Sequence, residues 1–276
     1  MTGFCHHNRT TPHHRAPHRA DRADKGYAVT INASGRPAGH PSGMRGPVPS
    51  GALPAGAAPA GVLTAETVLG PAPASPATAT AVDSTAGGGR SVALTFDDGP
   101  APEDTRALLA VLRRHQVRAV FCLWGDHVEA HPEVVREIVR DGHELAGHSM
   151  HHDDMSDWEP ERIRADLRQT NAVIAQVVPG VPVPWFRAPY GNWGRTPEVA
   201  AALGMQPLGW RLAVGDWEPP GTDELVRRVM EGVTPGAVVL LHDGGGDRSQ
   251  TVAAVDRIIP ELRADGWHFD QPARRA

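Results

Sequence analysis

The chain has 276 residues and a net charge of −5, so its composition provides no excess of positive charge for binding nucleic acid or an anionic membrane surface. It contains no apolar run close to the roughly 18 residues that a membrane span requires. Its two cysteines, Cys5 and Cys122, are too few for a disulfide framework. Cys122 lies in a predicted strand, where we expect a buried free thiol.

The first ninety residues differ in composition from the rest of the chain. They contain eleven prolines and thirteen glycines but only two aromatic residues, Phe4 and Tyr27. A segment this rich in proline and glycine, without a repeat, is typical of disorder. We therefore predict a disordered Pro/Gly/Ala-rich tail over residues 1–89 and a folded domain over residues 90–276.

Two features of the tail bear on function. Five histidines between His6 and His18 form a tract that we interpret as a solvated arm, with metal binding as the alternative. The stretch that begins at Met44 combines one arginine with small uncharged residues, as secretory signals do. Prolines interrupt it, however, and it lacks a proper hydrophobic region.

From Ser91 onward, apolar runs alternate with helical patterns. We predict strands over residues 91–96, 118–124, 144–149, 185–186, 207–212 and 237–242. We predict helices over residues 103–115, 131–140, 160–177, 197–203, 222–231 and 250–263. Continuous apolar strands that alternate with helices indicate a parallel sheet with a covered outer face. About seven such units predict an α/β fold, a distorted and incomplete (β/α) barrel rather than a full eightfold one.

Polar side chains follow the ends of these apolar runs. They are Asp97, Asp98, His148, Arg187, Asp216, His242 and Asp243. In folds built from parallel strands, functional side chains gather where strands end and loops begin. This recurrence indicates a functional site at that edge of the sheet.

His148 and His152 are four residues apart after a predicted strand, which allows both imidazoles to bind one metal ion, with His151 as a competitor. The aspartates of T-F-D-D-G (95–99) offer a third ligand. One carboxylate and two imidazoles suit Zn²⁺ or another divalent first-row ion with a water in the open position. The cation would neutralise one aspartate and leave the other as a base. The alternative is a turn in which the aspartates cap the next helix.

Five motifs occur in a fixed order. They are T-F-D-D-G (95–99), H-S-M-H-H (148–152), R-A-P-Y-G (187–191), D-W (216–217) and L-L-H-D (240–243). Together they resemble the polysaccharide deacetylase family, which is carbohydrate esterase family 4 or the NodB-type homology domain. The resemblance covers about residues 91–270, whereas any one motif would be weak evidence. It implies that residues 90–276 form a polysaccharide deacetylase catalytic domain.

The resemblance also implies a role for each catalytic residue. Asp97 would be the general base, and Arg187 would keep it ionised and oriented. His242 would be the general acid that protonates the leaving amine, and Asp216 would support Arg187 or His242. The backbone N–H of Tyr190 would help to stabilise the oxyanion.

The resemblance further implies a metal site and a substrate pocket. The metal ligands would be Asp98, His148 and His152. The metal would be Zn²⁺, with Co²⁺ or Ni²⁺ as alternatives. The residues expected to shape the substrate pocket, in addition to Tyr190, are Trp217, Leu240 and Trp193.

One position departs from the family pattern. The fourth motif often begins with another aspartate three residues before Asp216, and Ala213 stands there. We expect activity to be retained because Asp216 and Trp217 remain, with different hydrogen bonding in that wall. Asp243 is interpreted as orienting the backbone, and His127 as a structural residue away from the site.

The function implied by the resemblance is hydrolysis of acetyl groups from N-acetylglucosamine units of a glycan, chitin oligomers or peptidoglycan, by a metal-bound water with an aspartate base and a histidine acid. The alternatives are O-deacetylation of acetyl-xylan, glycan binding without turnover, and hydrolysis of a small-molecule amide. The expected partner is the glycan, with no nucleic acid, and the expected state is a monomer. The expected location is secreted or cell-wall associated, with the cytoplasm as the alternative.

Overall fold

The structure of the protein is a computed structural model that describes residues 79–274. The predictions made for residues 1–78, including the disordered tail, the histidine tract and the signal-like stretch, lie outside the described residues. Between residues 79 and 274, eight strands belong to one sheet, and the strands that pair along it are parallel. No helix in this part of the chain is long and apolar enough to cross a membrane.

The strands and helices alternate along the chain. The strands are β1 (Ser91–Gly99), β2 (Val120–Leu123), β3 (Glu144–Gly147), β4 (Trp185–Phe186), β5 (Gln206–Pro207), β6 (Leu212–Ala213), β7 (Ala237–His242) and β8 (His268–Phe269). The helices are α1 (Pro102–Arg114), α2 (Gly125–Ala130), α3 (Pro132–Arg140), α4 (Pro160–Val177), α5 (Thr196–Ala202), α6 (Thr222–Gly232) and α7 (Ser249–Ala264), with a 3₁₀ turn at Pro189–Gly191.

The sheet has the order β5-β4-β3-β2-β1-β7-β6, and β8 pairs with the start of β1. Seven parallel strands along this path, covered by helices, confirm the predicted incomplete barrel. All nine residues of β1 are buried, because β1 is central and both of its faces are covered. The side chains of Val92, Leu94 and Phe96 belong to a hydrophobic cluster shared with buried side chains of the helices. Ala93 belongs to a second hydrophobic cluster, inside the barrel.

The predicted strand over residues 207–212 is wrong. Two short strands replace it, β5 and β6, and they lie at opposite ends of the sheet order. Only residues 208–211 connect them. The sheet is therefore curved so strongly that four residues bridge its two edges. The backbone at Gly209 bonds to neither edge strand, since its N–H donates to the carbonyl oxygen of Val82 at 2.7 Å.

The segment around Val82 occupies the seam between the two edges of the sheet. The N–H of Val82 donates to the carbonyl of Pro207 at 2.9 Å, and the N–H of Val238 donates to the carbonyl of Asp83 at 3.0 Å. The Val82 side chain is fully buried beside Trp185 and Leu208 inside the barrel. The boundary predicted between residues 89 and 90 therefore requires correction, because at least residues 82–85 belong to the folded domain.

Two smaller outcomes concern local structure. Cys122 is a free and fully buried cysteine of β2, as predicted. The sequence patterns missed α2 and β8, which have six and two residues. Elements this short carry too few residues to display a hydrophobic period.

The seam segment yields a prediction about stability. Val82→Ala removes two methyl groups from a fully buried position and leaves a cavity, so we expect the free energy of unfolding to fall by about 2 kcal/mol. Chemical denaturation followed by circular dichroism measures this change. Val252→Ala, at a partly buried position of α7, is the matched control and should cost less. Equal losses for the two variants would contradict a buried role for Val82.

Candidate active site

The carboxyl ends of the strands converge on one cavity of about 390 Å³. Asp97 and Asp98 are among the last three residues of β1, His148 follows β3, and His242 is the last residue of β7. The lining residues are Asp97, Asp98, His148, His152, Ala188, Tyr190, Gly191, Trp210, Trp217, Leu240 and His242. Most of the residues singled out by the sequence motifs therefore share one cavity.

Three of these residues form a cluster suited to a metal ion. Nε2 of His148 and Nε2 of His152 lie 3.3 Å and 3.1 Å from Oδ1 of Asp98. The ligand atoms of all three residues lie within 4.8 Å of one another, and no other group of this kind occurs among residues 79–274. The second aspartate is close as well, with Oδ2 of Asp97 at 3.8 Å from Nε2 of His148.

The hydrogen bonds of this cluster fit a cation. Nδ1 of His148 donates to the carbonyl oxygen of Arg187 at 2.8 Å, which leaves Nε2 as a lone-pair donor that faces Asp98. Oδ1 of Asp98 is buried and has no hydrogen bond of good geometry. Burial alone would raise the pKa of Asp98, but in the absence of a metal ion the two imidazoles, when protonated, outweigh burial and hold that pKa far below its usual range. A divalent ion would satisfy these converging lone pairs.

Asp97 is held by a buried arginine. Nη1 of Arg187 donates to Oδ1 of Asp97 at 2.7 Å and to the hydroxyl of Thr95 at 2.9 Å. The same guanidinium donates to the backbone carbonyls of Leu208 and Gly209. Burial would lower the pKa of Arg187, but the charge of Asp97 outweighs burial and raises it. Arg187 therefore stays charged and fixes one oxygen of Asp97.

His242 has a partner of its own. Its Nδ1 donates to Oδ1 of Asp216 at 2.8 Å, and its backbone N–H donates to Oδ2 of Asp216 at 2.9 Å. Asp216 therefore supports His242 and not Arg187. Burial would lower the pKa of His242, but the bond to Asp216 outweighs burial and raises it. Nε2 remains available to hold a proton near the cavity.

Asp97 and His242 are neighbours in the sheet. They are register partners on β1 and β7, at the carboxyl ends of both strands. The sheet thus places one carboxylate and one imidazole side by side, each with its own charged partner. This arrangement can accept a proton at one position and release a proton at the other.

The backbone around the site adopts unusual conformations. Asp98, Ser149, His152 and Tyr190 have positive φ angles of 70°, 63°, 55° and 58°. Among the described residues other than glycine, Gln116 alone shares this feature away from the site. Such conformations cost free energy and cluster where function requires a fixed geometry. In the turn that contains Tyr190, Gly191 leaves room for the ring of Trp210, which a Cβ there would approach to 2.7 Å.

The structure separates the predicted substrate residues into two groups. Trp217, Leu240 and Tyr190 line the cavity, and the side chains of Trp217 and Tyr190 are 49% and 65% exposed. Trp193 does not line it. Its indole packs against a cluster that includes Met155 and Phe186, and its prediction as a pocket wall is corrected accordingly. Proximity in sequence to Tyr190 was a poor guide because the turn directs the two residues differently.

Sequence reasoning missed three contributors. Trp210 lines the cavity and its ring lies 5.5 Å from the guanidinium carbon of Arg187. Thr251 donates its hydroxyl to Asp216 at 2.9 Å. His127 was interpreted as remote, but its Nδ1 donates to the carbonyl oxygen of Asp98 at 2.8 Å. A tryptophan two residues before β6 was a usable signal for Trp210, whereas the other two contacts depend on how helices α7 and α2 pack against distant parts of the chain.

Comparison with known proteins agrees with this geometry. The family model described as polysaccharide deacetylase matches residues 84–208. The chitooligosaccharide deacetylase of Rhizobium leguminosarum bv. trifolii is 37% identical over 197 residues, which cover 67% of this chain and 91% of that protein. The chain belongs to the polysaccharide deacetylase family.

Solved structures share the fold. The crystal structure of the Bc1960 peptidoglycan N-acetylglucosamine deacetylase is 30% identical with a TM-score of 0.63, covering 67% of this chain and 88% of that one. The Xyl-CE4 domain of a multidomain xylanase from the hindgut metagenome of Trinervitermes trinervoides is 34% identical with a TM-score of 0.60, covering 66% and 86%.

The departure at Ala213 leaves the known contacts of the site intact. Ala213 is exposed on β6 and is the register partner of Leu240. Arg187 has its charge compensated by Asp97 and donates to Thr95 and two carbonyls, so it needs no carboxylate at position 213. The family motif residue Asp216 is fully occupied by His242 and Thr251.

Asp243 is a buried carboxyl group directly behind the site. Its Oδ2 accepts the hydroxyl of Thr105 at 2.6 Å, and its backbone N–H donates to the carbonyl of Asp97 at 3.0 Å. Burial raises the pKa of Asp243 from 3.8 to about 7. The folded protein therefore holds a proton there that the unfolded chain releases near pH 4.

This pKa predicts a pH dependence of stability. Between about pH 4 and pH 7 the folded state binds more protons than the unfolded state, so Asp243 makes the free energy of unfolding fall as the pH rises across that window, by at most about 4 kcal/mol. Asp243→Asn should remove this contribution, which urea titrations of the metal-free protein at several pH values would measure. The exposed Asp157→Asn is the control. An unchanged difference between Asp243→Asn and wild type at all pH values would contradict the raised pKa.

Proposed function

We propose that the protein is a metal-dependent hydrolase that removes acetyl groups from N-acetylglucosamine units of a glycan, either chitin oligomers or peptidoglycan. The observation that carries the proposal is the register pairing of Asp97 and His242 beside the Asp98–His148–His152 cluster. Amide hydrolysis needs an activated water, stabilisation of a tetrahedral oxyanion and a proton for the leaving nitrogen. The cavity offers a group for each requirement.

The metal would be held by Asp98, His148 and His152. Zn²⁺ is our proposed ion, with Co²⁺ or Ni²⁺ as alternatives, because two imidazoles and one carboxylate form a borderline ligand set. When bound, such an ion polarises the amide carbonyl and makes a water more acidic. The tie from Nδ1 of His148 to the carbonyl of Arg187 fixes the tautomer that metal binding requires.

The protein's own residues perform the proton transfers. Asp97 accepts a proton from the attacking water through Oδ2, because its Oδ1 is occupied by Arg187. The backbone N–H of Tyr190 donates to the oxyanion. His242 donates a proton from Nε2 to the leaving nitrogen, since Asp216 holds Nδ1 and favours the charged imidazole. The base and the acid therefore each act from a position fixed by a second residue.

The mouth of the cavity suits a sugar chain. The exposed rings of Tyr190 and Trp217 provide apolar faces on which pyranose rings can stack, and Leu240 supplies an apolar wall for the acetyl methyl group. The ring centroids of Trp217 and His242 lie 5.7 Å apart in an edge-on arrangement, so the indole also shields the acid from solvent.

Similarity to the Xyl-CE4 domain favours a second candidate substrate, an O-acetylated xylan. The same base and oxyanion donor can act on an ester, whose leaving oxygen depends less on a proton donor than an amide nitrogen does. For either glycan we propose that the protein acts outside the cytoplasm, secreted or associated with the cell wall, as a monomer. Cell fractionation and analytical ultracentrifugation test these two points.

One test of the proposed function concerns the base and the metal together. Wild-type protein that is stripped of metal and reloaded with Zn²⁺ or Co²⁺ should release acetate from N-acetylglucosamine oligomers, and the stripped protein should not. Asp97→Asn should lower kcat by a factor of about 10² to 10⁴, the usual contribution of a general base. Acetylated xylan and peptidoglycan are assayed in parallel.

Two outcomes would replace the proposed N-deacetylase. Release from acetyl-xylan but not from the oligomers would replace the N-deacetylase by the O-deacetylase. No release from any substrate, with oligomer binding that survives in a folded Asp97→Asn variant, would indicate a binding module. Circular dichroism is the control for folding, because the substitution leaves the buried Arg187 without its anionic partner.

A second test concerns the acid. Activity requires protonated His242 and should fall as the pH rises through its raised pKa. Asp216→Asn removes the charge that raises this pKa, so the alkaline limb of the kcat/KM profile should move to lower pH. A profile that keeps its alkaline limb while kcat falls would argue that another group is the acid. Asp265→Asn, at the far end of α7, is the control.

A further inference from the structure

The beginning of α7 contacts the carboxylate that supports the catalytic acid. Asp216 is 1% exposed, and the hydroxyl of the buried Thr251 donates to its Oδ2 at 2.9 Å. The other donors to this carboxylate are Nδ1 and the backbone N–H of His242. Of these hydrogen bonds to the Asp216 carboxylate, only the one from Thr251 comes from a residue other than His242.

A buried arginine at the same place contacts the backbone of Asp216. Arg248 is 4% exposed and immediately precedes α7. Its Nη1 donates to the carbonyl oxygen of Asp216 at 3.1 Å, and its Nε donates to the carbonyl of Gly244 at 2.7 Å. One guanidinium thus joins the loop that follows β6 to the loop that follows β7. Asp216 and His242 lie in or beside these two loops.

The surroundings of Asp216 compensate the burial of its carboxylate. A buried carboxylate is costly unless hydrogen bonds and positive charge compensate it. Thr251 supplies a hydrogen bond, Arg248 supplies a buried positive charge, and the N-terminal end of the 16-residue helix α7 adds its partial positive charge. A fixed Asp216 carboxylate holds Nδ1 of His242 and so keeps the imidazole oriented with Nε2 free.

We propose that Thr251 and Arg248 are positioning residues for the general acid, and that both act through Asp216. Neither side chain lines the cavity. The inference rests on the proposed function in one respect, because the proposed function assigns His242 as the general acid. It places part of the catalytic arrangement in α7, whose residues lie outside the five sequence motifs.

The experiment is a double-mutant cycle. Thr251→Val keeps the shape of the side chain and removes the hydroxyl, so kcat on N-acetylglucosamine oligomers should fall about tenfold, as for one lost hydrogen bond to a charged group, with KM nearly unchanged. Thr251→Ser should retain most of the activity because it keeps the hydroxyl. In an Asp216→Asn background, Thr251→Val should cause little further loss. Arg248→Lys should likewise cause little further loss of kcat in the Asp216→Asn background.

Thr170→Val is the matched control, since Thr170 is equally buried but donates its hydroxyl to the carbonyl of Asp166 within α4. It should lower thermal stability without lowering kcat. A wild-type kcat for Thr251→Val, or a full multiplicative loss in the Asp216→Asn background, would overturn the proposal. Thr251→Ala replaces Thr251→Val in the same cycle if the latter does not fold.

A readout independent of activity keeps this inference separate from the proposed function. The Nδ1 proton of His242 is followed by NMR, and Thr251→Val should shift its resonance whereas Thr170→Val should not. If wild-type protein released no acetate from any glycan but this shift were present, the proposed function would fail and the positioning role would stand. An unshifted resonance in Thr251→Val would remove the positioning role even in an active enzyme.

Discussion

The side chains of Asp97 and Asp98 leave the end of β1 as adjacent carboxylates in an enclosed cavity, and the surrounding residues compensate their charge in two different ways. Arg187 pairs with Asp97 as a permanent cation inside the protein. Asp98 faces two imidazole nitrogens and meets the requirements of a bound metal ion. Because the backbone turns to a positive φ at Asp98, both carboxylates face one cavity, and two repelling groups serve two sites that touch each other.

The same logic extends to the proton donor on the neighbouring strand. His242 is paired with the buried Asp216, and Asp216 is in turn held by Thr251 and the region of Arg248. Asp97, His148 and His242 are thus each held by a second residue that does not line the cavity. Such support keeps reacting groups at a fixed distance, on which proton transfer depends steeply.

Much of this arrangement was accessible from the sequence. Apolar runs such as A-V-V-L-L-H revealed the strands because a central parallel strand is buried on both faces. Residue type and spacing indicated His148, His152 and one of two aspartates as a metal site, and the resemblance to the family singled out Asp98. The division of residues 207–212 into two strands was not accessible, since it depends on the curvature of the whole sheet. Val82 was missed because its neighbours have the composition of a tail.

Other errors have a similar origin. Trp193 was placed in the pocket because it is near Tyr190 in sequence, yet a turn with a positive φ at Tyr190 separates their directions. Thr251 and His127 each contribute a single hydrogen bond from a helix to a residue far away in the sequence, and such contacts leave no periodic or spacing signal. Chemistry-bearing residues are therefore easier to find from sequence than the residues that hold them in position.

Arg187 contributes to the site through two separate parts. Its side chain holds Asp97, whereas its backbone carbonyl holds the metal-binding tautomer of His148. A substitution at this position can therefore release the base and still leave the imidazole tethered, because every amino acid carries the same carbonyl group. The support of the base and the support of the imidazole are therefore separable in this scaffold, and one substitution at Arg187 is expected to abolish hydrolysis while it leaves the candidate metal ligands in place.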